Sequence, residues 1–209
     1  MSPIKKAAEM TERELARYID QSVLKPEFTV DEIKKWVQEG IDYGCATICI
    51  NPASLPIVAP MVEGTSTGLC VVCDFPFGLA TTEAKAALAE MYCSQYDIED
   101  LDIVANYGRL RSGDLDFVIG NLKPTVEACH KHGTKVKVII EADFLTPGQI
   151  ADGTRCAIKA GADYIKSSTG FVTGVPSVGA TTEVVAKMME AAEEKIKVKG
   201  SGGIRTREH

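Results

Sequence analysis

The chain has 209 residues, of which 45% are hydrophobic and 25% are charged, a composition typical of a globular protein with a sizeable core. Its formal net charge of −6 argues against a nucleic-acid-binding surface, because neutralising phosphates requires an excess of clustered Lys and Arg. No stretch reaches the roughly 20 apolar residues that a bilayer span needs, and residues 1–14 have no apolar signal core. We therefore expect one domain, spanning residues 1–209, in the cytoplasm.

In chain order, short β-branched apolar runs alternate with longer segments of helical periodicity. The runs predict seven strands, at residues 18–22, 46–50, 69–75, 101–106, 135–141, 164–168 and 196–200. The periodicity predicts helices between them, at residues 30–43, 55–62, 82–95, 115–132, 148–160 and 181–194. Thr29 and Thr81 are suited to cap two of these helices, because their hydroxyl groups accept hydrogen bonds from free backbone N–H groups.

The predicted strands are continuously apolar, which favours parallel strands covered on both faces. Alternating strands and helices predict an α/β fold, either an open doubly wound sheet or a closed barrel, and periodicity alone leaves both open. Polar residues follow nearly every strand, where the loops of a barrel gather its active site. A single such residue is commonly a helix cap, but their recurrence favours a lined pocket; they are Asn51, Asp74, Asn106, Glu141, Ser167, Ser168 and Ser201.

Seven cysteines, an odd number, lie mostly in apolar runs or on predicted helices, which indicates reduced, buried thiols and a reducing compartment. Cys70 and Cys73 have the spacing of a zinc or redox half-site, but no second ligand pair accompanies them, so buried strand cysteines are the favoured interpretation. His130 and His132 precede Gly133, where a helix should end. We expect them to stabilise its negative end and not to bind metal.

Two lysines stand inside apolar runs. Lys166 lies in the predicted strand 164–168, where burial would favour a neutral amine, the form that attacks an aldehyde to give an imine. The alternative is that its stem packs on a helix while its charge reaches water. Lys199 ends the next predicted strand, so adjacent parallel strands would place a second cation near Lys166 and lower its pKa. Lys197 shares a face with Lys199, and one of the two is free to be solvated.

Asp102 lies between Leu101 and Ile103, so its carboxylate needs a partner, and a neighbouring lysine is the obvious one. It could relay a proton in a carbon–carbon bond step, or it could form a purely structural ion pair. Glycines at Gly170, Gly202 and Gly203 follow two strands and would let backbone N–H groups approach a phosphate, although glycines are common in such turns.

The sequence resembles the family of 2-deoxyribose-5-phosphate aldolases along nearly its whole length. The matching segments are IDQSVLKP (19–26), TICINP (47–52), FPFG (75–78), DLDIVAN (100–106), VKVIIE (136–141), GADYIKSSTGF (161–171) and GSGGIRT (200–206). The segment around Lys166 is the most specific of them.

This resemblance implies a (β/α)₈ TIM barrel that cleaves 2-deoxy-D-ribose 5-phosphate reversibly without metal or cofactor. It implies that Lys166 is the Schiff-base lysine, Lys199 the lysine that tunes it and Asp102 the proton relay. The residues implied to contact the substrate are Asp20, Ser22, Cys49, Gly170, Gly202 and Gly203. A homodimer is plausible on the same ground.

The family continues past the last residues of this chain with a helix, an eighth strand and part of the phosphate site. We therefore expect a barrel truncated after the seventh strand, with weak activity and a tendency to aggregate. The alternative functions are a related aldolase acting on another phosphorylated sugar, and a silent barrel fragment that binds a sugar phosphate.

Overall fold

The computed structural model describes residues 5–204 and 206. Its seven strands form one parallel sheet, in which each strand pairs with the next along the chain. A doubly wound sheet reverses its strand order at a switch point, so this uninterrupted order is that of a barrel wall and decides between the two architectures. The strands are β1 Asp20–Val23, β2 Thr47–Ile50, β3 Gly68–Cys73, β4 Asp100–Val104, β5 Lys135–Ile139, β6 Tyr164–Lys166 and β7 Lys197–Lys199.

Helices connect the strands and cover the outer face of the sheet. They are α1 Glu12–Ala16, α2 Val30–Tyr43, α3 Leu55–Val62, α4 Thr82–Gln95, α5 Tyr107–Arg111, α6 Leu115–His130, α7 Pro147–Ala160 and α8 Thr182–Ala192. Thr29 caps α2 and Thr81 caps α4, each accepting a hydrogen bond from a backbone N–H, as predicted. No helix in the described part of the chain is both long and apolar enough to cross a membrane.

Several predicted strands are too long at their carboxyl ends. Asp74 and Glu141 have φ values of 49° and 52°, which is left-handed backbone that cannot continue a strand. The predicted helix 115–132 also ends early, at His130, and Gly133 follows with a φ of 77°. The short helices α1 and α5 were not predicted from the sequence.

The sheet separates two environments. The main core lies between the sheet and the helices and takes up Leu101 and Ile103 of β4. The alternate residues of that strand, Asp100 and Asp102, contact groups from other strands inside the barrel. Because side chains alternate across a strand, the same short segment supplies both the apolar core and the polar interior.

The histidines and cysteines have local roles. His130 contacts the Asp163 carboxylate at 2.9 Å and His132 contacts Glu90 at 2.8 Å, so each pairs with a carboxylate on a neighbouring segment. All seven cysteines are free and buried, so the prediction that they are buried is confirmed.

Candidate active site

Lys166, the last residue of β6, lies inside the barrel beside Asp102 of β4. Its Nζ atom donates a hydrogen bond of 2.6 Å to Asp102 Oδ2. Lys166 is 5% exposed and Asp102 is fully buried. The structure therefore pairs two of the predicted catalytic residues and excludes the alternative in which Lys166 extends outward to water.

Lys137 of β5 occupies the centre of the same cluster. Its Nζ atom lies 2.7 Å from Asp100 Oδ2, 3.0 Å from Asp102 Oδ1 and 3.4 Å from Asp20 Oδ2. One buried ammonium thus contacts three carboxylates, which come from β1 and β4. Lys137 was not among the predicted site residues, although it stands between Val136 and Val138 in the same kind of apolar run that singled out Lys166.

Lys199 of β7 reaches this cluster through Asp20, whereas Lys166 reaches it through Asp102. The backbone register sets Lys199 beside Lys166, as predicted. Its Nζ atom, however, donates to the Tyr18 carbonyl at 3.4 Å and lies 2.8 Å from Asp20 Oδ2. Three lysines and three aspartates therefore form one connected network inside the barrel, which we call the ion-pair network: Lys137, Lys166, Lys199, Asp20, Asp100 and Asp102.

The prediction that the pKa of Lys166 is lowered is wrong for this arrangement. Burial disfavours the ammonium, but the adjacent Asp102 carboxylate outweighs burial and raises the pKa of Lys166 above its usual value. Burial also opposes the charge on Asp102, yet Lys137 and Lys166 hold the pKa of that carboxyl well below its usual range. The resting site is thus a charged pair, and Lys166 must give up a proton before it can attack a carbonyl carbon.

Two thiols approach the same carboxylate. Cys70 Sγ is 3.3 Å from Asp102 Oδ1 and Cys49 Sγ is 4.0 Å from Asp102 Oδ2. These three side chains are close enough together to hold a metal ion. Burial raises the pKa of the Cys70 thiol well above its usual value, whereas a metal ligand must be a thiolate. Both Asp102 oxygens already accept from lysines, so this donor set does not suit a metal.

The predicted pocket residues on β1 and β2 lie near the network. Asp20 is part of it, and Lys137 and Lys199 lower its pKa although burial acts against them. Ser22 is exposed and stands in register with the buried Cys49. Cys49 also belongs to a small apolar cluster against which Phe75 and Phe171 pack, with ring centroids 5.4 Å apart.

The buried carboxylate of Glu141, after β5, accepts hydrogen bonds from the loop after β6, and that loop is bonded in turn to the loop after β7. Ser168 Oγ donates to Glu141 Oε1 at 2.5 Å, and Thr169 donates to Glu141 from both its backbone N–H, at 3.2 Å, and its hydroxyl. Ser201 connects to the same loop, because its N–H donates to Ser167 Oγ at 2.9 Å. Glu141 therefore holds the turn that leads into Gly170.

The glycines that were predicted to lie near a phosphate belong to the turns that these hydrogen bonds hold. Gly170, Gly202 and Gly203 have φ values of 80°, 91° and 78°. A Cβ atom at Gly202 would lie 3.3 Å from the Cβ atom of Ser168, so the two loops approach each other closely there. The backbone N–H of Gly170 donates to Ser168 Oγ at 3.2 Å.

The remaining polar residues at strand ends serve local structure. Asp74 pairs with the buried Lys85 at 3.1 Å, and Asn106 caps α5 by accepting from Arg109 N at 3.0 Å. Asn51 Nδ2 donates to the Leu24 carbonyl at 2.9 Å. Each of these three polar residues thus makes a local structural contact.

Comparison with known proteins places the chain among aldolases. A family model described as "DeoC/LacD family aldolase" matches residues 15–209. The deoxyribose-phosphate aldolase of Treponema denticola is 36% identical over 195 residues, which cover 93% of this chain and 88% of that protein. Deoxyribose-phosphate aldolase 2 of Bacillus licheniformis is 41% identical over 194 residues, covering 93% and 84%.

A solved structure agrees with these sequences. The deoxyribose phosphate aldolase of Aeropyrum pernix, described as a tetramer, superimposes with a TM-score of 0.83 at 28% identity and covers 94% of this chain and 80% of its own. Together with the seven consecutive parallel strands, this likeness bears out the predicted TIM-barrel class. The chain therefore belongs to the DeoC/LacD family of aldolases.

Proposed function

We propose that this chain is a deoxyribose-phosphate aldolase, which reversibly cleaves 2-deoxy-D-ribose 5-phosphate into glyceraldehyde 3-phosphate and acetaldehyde through an imine on Lys166. The observation that carries the proposal is the buried contact of 2.6 Å between Lys166 Nζ and Asp102 Oδ2. In a barrel of this family, that contact supplies both a nucleophilic nitrogen and a base for its proton.

The proposed reaction begins with proton transfer from Lys166 to Asp102. The free amine attacks the C1 aldehyde carbon, and the carbinolamine loses water to form a protonated imine. This imine accepts the electron pair of the C2–C3 bond as it breaks, while the C3 hydroxyl loses its proton and glyceraldehyde 3-phosphate leaves. The remaining enamine is protonated at carbon, and water then releases acetaldehyde and restores the lysine.

The other members of the ion-pair network have supporting roles in this proposal. Lys137 pairs with the Asp102 carboxylate and Lys199 with that of Asp20, so neither buried carboxylate is left without a cation when Lys166 loses its proton. Ser22 and Cys49 line the pocket for the sugar, and the turns at Gly170, Gly202 and Gly203 lie near its phosphate. Lys199 acts through Asp20, which it contacts, and Asp20 in turn contacts Lys137.

The decisive experiment is borohydride trapping with acetaldehyde followed by peptide mass mapping. We expect the reduced adduct on the peptide that contains Lys166, and none in Lys166→Met. Lys197→Met is the matched control, because Lys197 is an exposed lysine on the next strand, and it should trap normally. An adduct elsewhere, or none in the unmodified protein, contradicts the proposal.

The choice of sugar is a separate measurement. Cleavage rates on several sugar phosphates distinguish a deoxyribose-phosphate aldolase from a relative that acts on another phosphorylated sugar, and trapping without turnover would favour a silent binding protein. We also propose a cytoplasmic homo-oligomer, in line with the reported tetramer of the Aeropyrum pernix relative.

A further inference from the structure

The ion-pair network continues past Lys137 to a carboxylate that the proposed reaction does not use. Asp100 is two residues before Asp102 on β4 and lies nearer to the amino-terminal end of the strand. Its Oδ2 atom is 2.7 Å from Lys137 Nζ, which is the shortest of the three carboxylate contacts that Lys137 makes. Lys137 is thus held from both sides, by Asp100 on one and by Asp102 on the other.

Asp100 also lines a small polar cavity of about 170 Å³ at the amino-terminal ends of the strands, with Arg17, Thr47, Glu99, Lys135 and Tyr164 among its other lining residues. Asp100 Oδ1 and Thr47 Oγ1 are buried and have no hydrogen-bond partner among the described residues. A polar cavity of this size has room for ordered water. The network therefore has a second end, at the face of the barrel away from the loops that follow the strands.

We propose that Asp100 is a positioning residue for the reaction: it fixes Lys137 against Asp102 from the amino-terminal face and thereby keeps Lys166 in its charged form between turnovers. This inference rests on the proposed function only in taking Lys166 as the imine-forming lysine. Asp100 contacts Lys137 and Lys166 contacts Asp102, so Asp100 acts on Lys166 through Lys137 and Asp102.

The direction in which Asp100 shifts the pKa of Lys166 follows from the charge of Asp100 alone. Removing the negative charge of Asp100 makes the surroundings of Lys137, Asp102 and Lys166 more positive, which disfavours a protonated Lys166. Its free amine would then appear at lower pH. Burial raises the pKa of Asp100 even though Lys137 opposes that shift, so its negative charge is weakly held and depends on Lys137.

The charged and titratable groups that face Asp100 come from every neighbouring strand. In direct contact is Lys137 of β5. Within the network are Asp20 of β1 and Asp102 of β4, and Cys70 of β3 is in register with Asp100. Around the cavity are Arg17, Glu99, Lys135 and Tyr164. Among these, Lys137 is the cation that Asp100 contacts within the described residues, so it is the route by which Asp100 reaches Lys166.

The test is the pH dependence of borohydride trapping with acetaldehyde, which isolates imine formation from cleavage. In Asp100→Asn we expect the midpoint of the trapping profile to fall by about one pH unit, so that trapping near neutral pH is up to about tenfold faster. Asp100→Glu restores the carboxylate and should return the midpoint towards that of the unmodified protein. A merely structural role would slow trapping without moving the midpoint.

Glu99→Gln is the matched control. Glu99 lines the same cavity and carries the same charge, but it is exposed and pairs with Lys135 outside the network. Its trapping midpoint should equal that of the unmodified protein. A folded Asp100→Asn variant with the unmodified midpoint overturns the inference and leaves the aldolase proposal intact, whereas the absence of any Lys166 adduct in the unmodified protein overturns both.

A measurement on the unmodified protein covers the case in which Asp100→Asn does not fold. The carboxyl ¹³C resonance of Asp100 is recorded before and after Lys166 is trapped as its reduced adduct. We expect the Asp100 resonance to shift and that of Glu99 to stay. An unchanged Asp100 resonance would show that the two ends of the network are not coupled, and would overturn the inference.

Discussion

At the scale of single residues, the interior of the barrel is organised by charge balance. Three carboxylates and three ammonium groups form the ion-pair network, and removing an isolated ion from water costs several kcal/mol. Each member lies within about a hydrogen bond of an opposite charge. The network is therefore tolerated in a buried position as a unit, and the loss of any one member removes an opposite charge from at least one other member.

Lys137 is the member with the most partners, so its loss should be the most damaging to the fold. In Lys137→Met, Asp100 loses its cationic partner, and Asp102 and Asp20 each lose one of two. We expect the free energy of unfolding to fall by about 3–5 kcal/mol in urea titrations. Lys135→Met, on the same strand with an exposed partner, should cost at most about 1 kcal/mol. Equal losses in the two variants would contradict this account.

The buried carboxylate of Asp102 should make the free energy of unfolding depend on pH in the acidic range. Its pKa is depressed in the folded protein, so its contribution is fully present above its unfolded pKa of roughly 3.9 and is lost as the pH falls towards the folded value. In Asp102→Asn, the decline in the free energy of unfolding below about pH 4 should be shallower. The measurement is a series of urea titrations between neutral and acidic pH. A decline of unchanged steepness would show that other carboxylates account for it.

The sequence predicted members of the network where a single charged side chain stood among apolar residues. Lys166 and Asp102 were recognised because a charge stood in an apolar run, and the structure does place them together. The direction of the Lys166 pKa was predicted wrongly, because it depends on which charge lies closer in space. Asp102 lies beside Lys166, whereas Lys199 turns towards Asp20 of β1, a contact across the barrel that strand adjacency does not reveal.

At the scale of elements, a buried lysine on α4 anchors the loop between β3 and α4. Lys85 Nζ donates to Asn121 Oδ1 at 2.7 Å, to the Val104 carbonyl at 3.0 Å and to the Gly78 carbonyl at 3.2 Å. It also pairs with Asp74 at 3.1 Å. One ammonium thus connects α4, α6, the end of β4 and the loop that carries Phe75.

Replacement of Lys85 should release that loop. In Lys85→Met, the Asp74 carboxylate and the Asn121 amide lose a buried partner, and we expect a loss of about 3–5 kcal/mol in the free energy of unfolding. Lys123→Met removes an exposed lysine from α6 and should change it by less than about 0.5 kcal/mol. Thermal and urea unfolding of both variants provide the comparison. A loss in Lys85→Met no greater than in Lys123→Met would show that the loop is held by other contacts.

Elements were predicted best where the sequence marks their ends. The bounds of α2, α3 and α4 match the prediction, and α2 has both a threonine cap and a left-handed Gly44 at its end. Strand ends were overestimated because Asp74 and Glu141 adopt left-handed backbone, a conformation that is uncommon for residues other than glycine. Their buried partners, Lys85 and Ser168, come from other elements and are not visible in a local pattern.

At the scale of the whole molecule, the first and last described strands meet through side chains. β1 and β7 are the edges of the sheet, and the contact between Lys199 and Asp20 links them at 2.8 Å. Lys199 also donates to the carbonyl of Tyr18, which precedes β1. The barrel class followed from the family resemblance, because alternation alone left two architectures open, but this link depends on curvature of the whole sheet.

Loss of this link should loosen both edges while the middle of the sheet stays intact. In Lys199→Met we expect faster hydrogen exchange at backbone amides of β1 and β7, unchanged protection in β3 to β5, and a loss of about 1–3 kcal/mol in stability. Lys197→Met, two residues earlier and exposed, should preserve the protection of β1. Uniform loosening of all strands in Lys199→Met would contradict a role confined to the edges.

Because the strands pair in chain order, the sheet can begin to form while the chain is still being synthesised. Each strand finds its partner in the strand made just before it, and contacts of short sequence separation form readily. The bond between Lys199 and the carbonyl of Tyr18 instead spans 181 positions, so it can close only when nearly the whole described chain has left the ribosome. A nascent barrel would thus acquire its wall one strand at a time and complete the ion-pair network only after β7 has been made.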